Sequence, residues 1–300
     1  MGCFRALLPC IGSFAAFLLG MLCIFAGNQR QLPQVDLLTL YTHGIGTPST
    51  ENAAPAPDFF SVYPMSYCSG FQVPDPKTNF TTTQNRLFAC SDRSVLFRFN
   101  PTSAILKAVG NESGTLASDI WPSCITDDFG MLQPTNSTMV IFYIFGTTAA
   151  AVAVGVRLWS LASARALGRA RSRSNDSSRR SSYPGRSDVR FEFDNPPSRV
   201  ELVALLVSMI GLGIGSVIAS MIATEFVTLI NMSGNAYGVS ATAGSTFLGL
   251  TWTAEVLQVL GTTDTAVAIF RSRAKRCWCD LDERVSLPEL AEEKPLVGGD

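Results

Sequence analysis

The sequence predicts a membrane protein: a bundle of four transmembrane α-helices carrying a small extracellular antiparallel β-sheet domain closed by a disulfide. Two observations predict it. Only 16% of the 300 residues are charged and 47% are hydrophobic, whereas soluble domains carry about a quarter charged residues. The hydrophobicity is also concentrated in four blocks, residues 6–26, 139–159, 202–225 and 247–270, each near the ~20 apolar residues that cross a bilayer. A soluble core would instead show apolar stripes separated by polar faces. The net charge of -1 gives no reason to expect a nucleic-acid partner.

These blocks divide the chain into a first helix (1–26), an outer loop (27–138), a second helix (139–159) and a cytosolic Arg/Ser-rich linker (160–199). A third helix (200–225), a short outer loop (226–246), a fourth helix (247–270) and a cytosolic tail (271–300) complete it. The first block reads either as a signal peptide with Ala26 as cleavage residue or as a retained helix, an uncleaved signal anchor; the second is favoured because its apolar run exceeds the 7–15 residues of a signal core. Gly12, Ala16 and Gly20 recur in it at four-residue spacing, a stripe of small residues that lets helices approach closely.

Sidedness follows from charge. Residues 162–198 hold eight arginines against four acids, and Arg271, Arg273, Lys275 and Arg276 follow the last block. Basic flanks stay on the cytosolic side, so both termini are expected inside. The outer loop, with six basic residues and nine acids, suits the opposite face. Glycosylation sequons at Asn79, Asn111, Asn136 and Asn231 all fall on that outer face; Asn79 and Asn111 lie farthest from the membrane.

Three of the eight cysteines, Cys68, Cys90 and Cys124, lie in the outer loop, where the environment is oxidising. One pair can close. Cys68–Cys90 is favoured, with a stabilisation of roughly 3 kcal/mol in the chain-entropy model, although spacing alone does not establish connectivity. Cys124 then either pairs between chains or is buried.

Within the outer loop the strand-like runs are residues 59–67, 86–90 and 95–99, rich in aromatic and β-branched residues and bounded by Pro, Asn, Asp or Ser. A sheet this small is marginal alone, so the disulfide and the helix ends must support it. The runs Tyr67-Cys68-Ser69-Gly70, Ala89-Cys90-Ser91 and Phe97-Arg98-Phe99-Asn100-Pro101 resemble the outer-loop signature of the fungal Sur-seven/PalI family of four-span plasma-membrane proteins, whose motif falls here on Tyr67, Cys68, Gly70, Cys90, Phe99 and Pro101. The resemblance implies a claudin-like architecture and a multi-pass plasma-membrane location. It also implies a structural role in cortical, eisosome-type membrane domains, supporting membrane organisation, endocytosis and cell-wall integrity. The partners implied are membrane lipids, other membrane proteins of the same domain and further copies of the chain, with no cofactor.

Span three carries Gly211, Gly215, Ala219 and Ala223 at four-residue intervals, and span two carries Ala151 and Gly155, seams suited to close helix packing. In span four, Thr251, Glu255, Gln258, Thr262 and Thr265 share one stripe, with Asp264 off it. Such residues at membrane depth normally face the bundle interior, either as an interhelical hydrogen-bond seam or as an ion path. Arg157, near the inner end of span two, is expected to snorkel to the headgroups.

The arginines and interleaved serines of residues 165–190 suit a disordered linker that attaches to anionic lipids until phosphorylation opposes it. Cys277 and Cys279, beside the last span, are candidates for palmitoylation. His43 is the only histidine, which excludes a catalytic triad or a histidine-rich metal site, and no Walker loop is present. An enzyme is not expected. Behind the organiser stand two alternatives: a PalI-type component of ambient-pH signalling, and a channel or transporter using the polar stripe of span four.

Overall fold

Apolar runs become helices and the aromatic-rich segments between them become a sheet. The computed structural model describes residues 2–27, 34–42, 57–74, 83–101, 103–104, 107, 123–178, 198–234 and 238–285, with side chains from Cys10 in the first helix, over 136–163 in the second and as far as Ala274 in the last. The helices are α1 (Gly2–Phe25), α2 (Ser123–Ser178), α3 (Arg199–Gly234) and α4 (Ser245–Val285). The strands are β1 (Leu38–Tyr41), β2 (Phe59–Val62), β3 (Tyr67–Pro74), β4 (Thr83–Cys90) and β5 (Ser240–Ala243).

Each helix packs on its chain neighbour and α4 returns to α1, closing a ring of four. The outer surface of this ring is unlike that of a soluble bundle. Large apolar side chains point outward: Phe14, Leu18 and Leu22 on α1, Phe145 and Val152 on α2, Val207, Ile210 and Met221 on α3, and Val256, Leu260 and Phe270 on α4. The interior buries Ser13, Thr147, Ser208, Ser216, Thr251, Gln258, Thr262 and Thr265 among apolar residues such as Ala16, Tyr143, Leu212 and Ala219. Water would select a polar outer face. Two segments, Asn136–Ser163 and Arg199–Gly234, are long and apolar enough to cross a membrane, with mean hydropathies of 2.1 and 2.4, and Cys10–Phe25 is a shorter apolar helix.

The strands pair antiparallel in the order β4-β3-β2-β1-β5. The expected runs 59–67 and 86–90 fall on β2 and the edge strand β4, but the first breaks at Tyr63–Ser66, and β3, expected only at Tyr67, runs on to Pro74. Three further features differ from expectation. Residues 95–99 form a turn rather than a strand, with the Phe97 amide donating to Ser94 O at 3.1 Å; their alternation still buries Phe97 and Phe99 and exposes Leu96. Strand β1 was not anticipated. Nor was β5, which rises from the short loop between α3 and α4 to pair with β1.

The helices also overrun their expected limits. Residues 123–138, assigned to the β-rich loop, open α2, and Cys124 lies in its first turn. The first part of the Arg/Ser linker, to Ser178, continues that helix instead of being irregular. At 1.5 Å per residue the 56 residues of α2 extend about 84 Å, far beyond a hydrocarbon core of about 30 Å.

Two apolar cores organise the outer part. One gathers Leu38, Leu40, Phe60, Val62, Phe97, Phe99, Ala241 and the α3 residues Phe226 and Ile230. The other joins Leu37, Tyr63 and Cys68 of the sheet region to Cys23, Met139, Tyr143, Leu212 and Phe247 of all four helices. The sheet therefore shares its core with the bundle.

Candidate functional site

The motif residues meet on β3, β4 and the turn after them. Cys68 and Cys90 are direct cross-strand partners, with Cα atoms 4.0 Å apart and the disulfide formed. Next to it, the Tyr67 amide donates to Ser91 Oγ at 3.0 Å, and the Ser91 amide donates to Tyr67 O at 2.8 Å. The Tyr67 ring lies 6.2 Å from Phe60, 6.1 Å from Phe97 and 5.6 Å from Phe99, and burial raises its phenol pKa. Phe99 continues the chain of rings to Phe226 of α3 at 6.1 Å. Gly70 is required by packing: a Cβ there would run into Arg86 O and the Phe59 ring. Asn100 and Pro101 start a helical turn, Asn100 Oδ1 accepting from the Ser103 amide at 3.1 Å. Asn at the cap and Pro at the first helical position suit that role.

Three fasteners then lock the sheet to the helices. Arg93 Nη2 donates to Ile24 O of α1 at 2.8 Å, contacts Met65 Sδ at 3.4 Å, and its guanidinium sits 5.0 Å from the Phe25 ring centre. A cation at a helix C-terminus complements its unpaired carbonyls. Asn136 of α2 donates from Nδ2 to Pro64 O (3.3 Å) and Phe97 O (3.0 Å). Asn231 of α3 acts as a surrogate strand for β5: its Nδ2 donates to Ala241 O at 3.1 Å and its Oδ1 accepts from the Ala241 amide at 2.8 Å.

These contacts bear on the sequons. Asn136 is 9% exposed and its amide nitrogen is shared between two carbonyls, so the expected glycan there does not fit. A glycan on Asn231 would have to share Nδ2 with the Ala241 bond. Asn79 and Asn111 lie outside the described residues, and Cys277 and Cys279 lie in the helical continuation of α4, where side chains are not described.

In the bundle, the α3 seam is real but its partner differs from expectation. Gly211 faces Gly146, whose Cα would be 2.9 Å from an added Cβ, and Gly215 faces the Tyr143 ring at 3.2 Å. Gly20 of α1 faces Thr147 and Gly12 faces Leu257 of α4. Gly155, expected in the seam, has nothing within 4 Å of its Cβ direction. Arg157 does not snorkel. It is buried and paired with Glu201 of α3 at 3.5 Å, because the Ser198-x-x-Glu201 cap places that carboxylate at the start of α3, with the Glu201 amide donating to Ser198 Oγ at 3.1 Å.

The stripe of span four does face inward, at Thr251, Gln258, Thr262 and Thr265. Its hydroxyls bond mainly to their own helix, Thr251 to Leu248 O and Thr262 to Gln258 O. Two members reach other helices: Gln258 Nε2 stands 3.5 Å from Leu205 O of α3, and the Thr251 side chain hydrogen-bonds Tyr143 of α2. Glu255 is half-buried beside Gly213, and Asp264 is exposed on the outer face. Among the described residues no group of acidic, cysteine or histidine side chains could hold a metal ion.

A family model described as the SUR7/PalI family matches residues 5–262. That family is membrane-associated and is not a known enzyme family. No curated protein matches the chain. With the match spanning all four helices to the middle of α4 and every strand of the disulfide-closed sheet, the chain belongs to the SUR7/PalI family.

Proposed function

We propose that this chain is a four-span, claudin-like scaffold of the plasma membrane that organises cortical, eisosome-type domains and thereby supports endocytosis and cell-wall integrity. All four helices cross the bilayer, the sheet domain lies outside, and both termini are cytosolic. The outer surface of the ring supports four crossings, since α1 and α4 carry outward apolar faces as α2 and α3 do. The arginines after α2 and α4 support the orientation. Glycans at Asn79 and Asn111, lipidation at Cys277 and Cys279, and contacts with anionic lipids, neighbouring membrane proteins and further copies belong to the same reading.

One observation carries the choice of scaffold. The outer domain shares a core with the helices and is fastened at Arg93, Asn136 and Asn231, so little is free to rock. Alternating access needs one bundle half to move against the other, whereas Gly146 and Gly211 hold α2 and α3 in backbone contact. A fluorescent fusion expressed in its own cells tests the reading: patchy, immobile signal at the cortex is expected, and uniform, freely diffusing signal overturns it.

A further inference from the structure

Three helices each bury a polar atom that has no partner among the described residues. Where α1 meets α4, Gly12 packs against Leu257 O, and the next residue on each helix, Ser13 and Gln258, faces the interior at 2% and 0% exposure. Gln258 stretches Nε2 toward Leu205 O of α3. Ser208, one turn further along α3 (about 4.5 Å of rise), is also fully buried. Ser13 Oγ, Ser208 Oγ and Gln258 Oε1 have no hydrogen-bond partner among the described residues. Neither serine bonds to its own helix carbonyl, as Thr147, Ser220 and Thr262 do.

Burying three such atoms unsatisfied is costly, about 1–3 kcal/mol each, and the interior of a membrane protein supplies no bulk water to relieve it. We propose that Ser13, Ser208 and Gln258 enclose an internal water site that ties α1 to α3 and α4. The chemistry selects water over a cation. Two hydroxyls can donate or accept and the amide oxygen accepts, so one water finds about three partners, the usual number for a buried water. All three groups are neutral; of the charged side chains on these helices, Glu201 is paired with Arg157, and Glu255, one turn from Gln258 on α4, stands beside Gly213 of α3. This site does not depend on the scaffold reading. It accounts for a polar interior without a path for ions.

The full chain in lipid nanodiscs tests it in two ways. A structure at a resolution that shows waters should contain a density peak about 2.7–3.2 Å from at least two of the three oxygens. Absence of a peak, with both serines bonded to their own helices, overturns the proposal. A peak at cation distances of about 2.0–2.6 Å also overturns it. The second readout is a double-mutant cycle of Ser13→Ala and Ser208→Ala on the unfolding equilibrium. A shared water couples them by a factor of about 5 or more, whereas effects that multiply to within a factor of about 2 mean independent sites and overturn the proposal.

Discussion

Arg93 Nη2 donates to the Ile24 carbonyl at 2.8 Å, so a residue that follows the last strand of the motif closes the end of the first helix, 69 positions earlier in the chain. Replacing it exposes those carbonyls and frees the loop after β4. Arg93→Ala is expected to destabilise the protein by about 1.5–3 kcal/mol, the range for a hydrogen bond to a charged group. Thermal unfolding in nanodiscs measures this. Arg93→Lys should recover part of the loss, since a lysine keeps the charge at the helix end but lacks the planar guanidinium that lies over Phe25.

Gly211 and Gly155 provide a matched pair. Gly211→Ala drives a methyl into Gly146 and should cost about 1–3 kcal/mol, as overpacking does. Gly155→Ala meets nothing within 4 Å and should be neutral or gain up to about 1 kcal/mol from helix propensity. Equal losses at both positions would refute the assigned seam.

The Arg157–Glu201 pair predicts non-additivity. Arg157→Leu or Glu201→Leu alone leaves a buried charge and should cost about 3–5 kcal/mol, while the double variant should lose much less. Denaturation of the three variants in the same detergent provides the comparison. Losses that simply add would show that the two residues do not act as a pair.

Opening the disulfide should loosen the outer sheet. Cys68 and Cys90 are separated by 22 positions, for which the chain-entropy model gives roughly 3 kcal/mol. The Cys68→Ala/Cys90→Ala variant should melt correspondingly lower, and reductant should no longer shift its melting temperature.

Asp36 predicts a pH dependence. Burial raises its pKa, opposed by the hydrogen bond from Thr39. Because the folded value lies above the unfolded one, the stability it contributes is fully present below about pH 4 and is lost as the pH rises through the folded value. Asp36→Asn, which cannot ionise, should therefore melt higher than the native chain at pH 7, by about 2–4 °C for each kcal/mol recovered, and should match it below pH 4. The same shift at both pH values would contradict this account.

The existence of the four helices was legible from the four long apolar blocks, but their ends were not, since α2 and α4 run well past those blocks. Cys68–Cys90, Tyr67 and the burial of Phe97 and Phe99 were legible too, from local pattern and motif. What escaped detection depends on partners distant in sequence. Leu38–Tyr41 and Ser240–Ala243 have four residues each, too short for a period to show, and each is a strand only because it pairs with the other and, for β1, with β2. Arg157 reads as a headgroup anchor until Glu201 is placed beside it. Gly155 and Gly146 look alike in the sequence, and only the crossing of α2 with α3 separates them.

The pairing of β5 with β1 has a consequence for biogenesis. The strand that follows the first helix waits for one that precedes the last, about two hundred residues later in synthesis at 5–20 residues per second. On the proposed topology, β1 keeps a bare backbone edge in the lumen during that interval of some tens of seconds. The chain therefore presents a signal of immaturity that disappears only when its final hairpin of helices has been threaded, and a truncated product lacking that hairpin would remain recognisable to lumenal quality control.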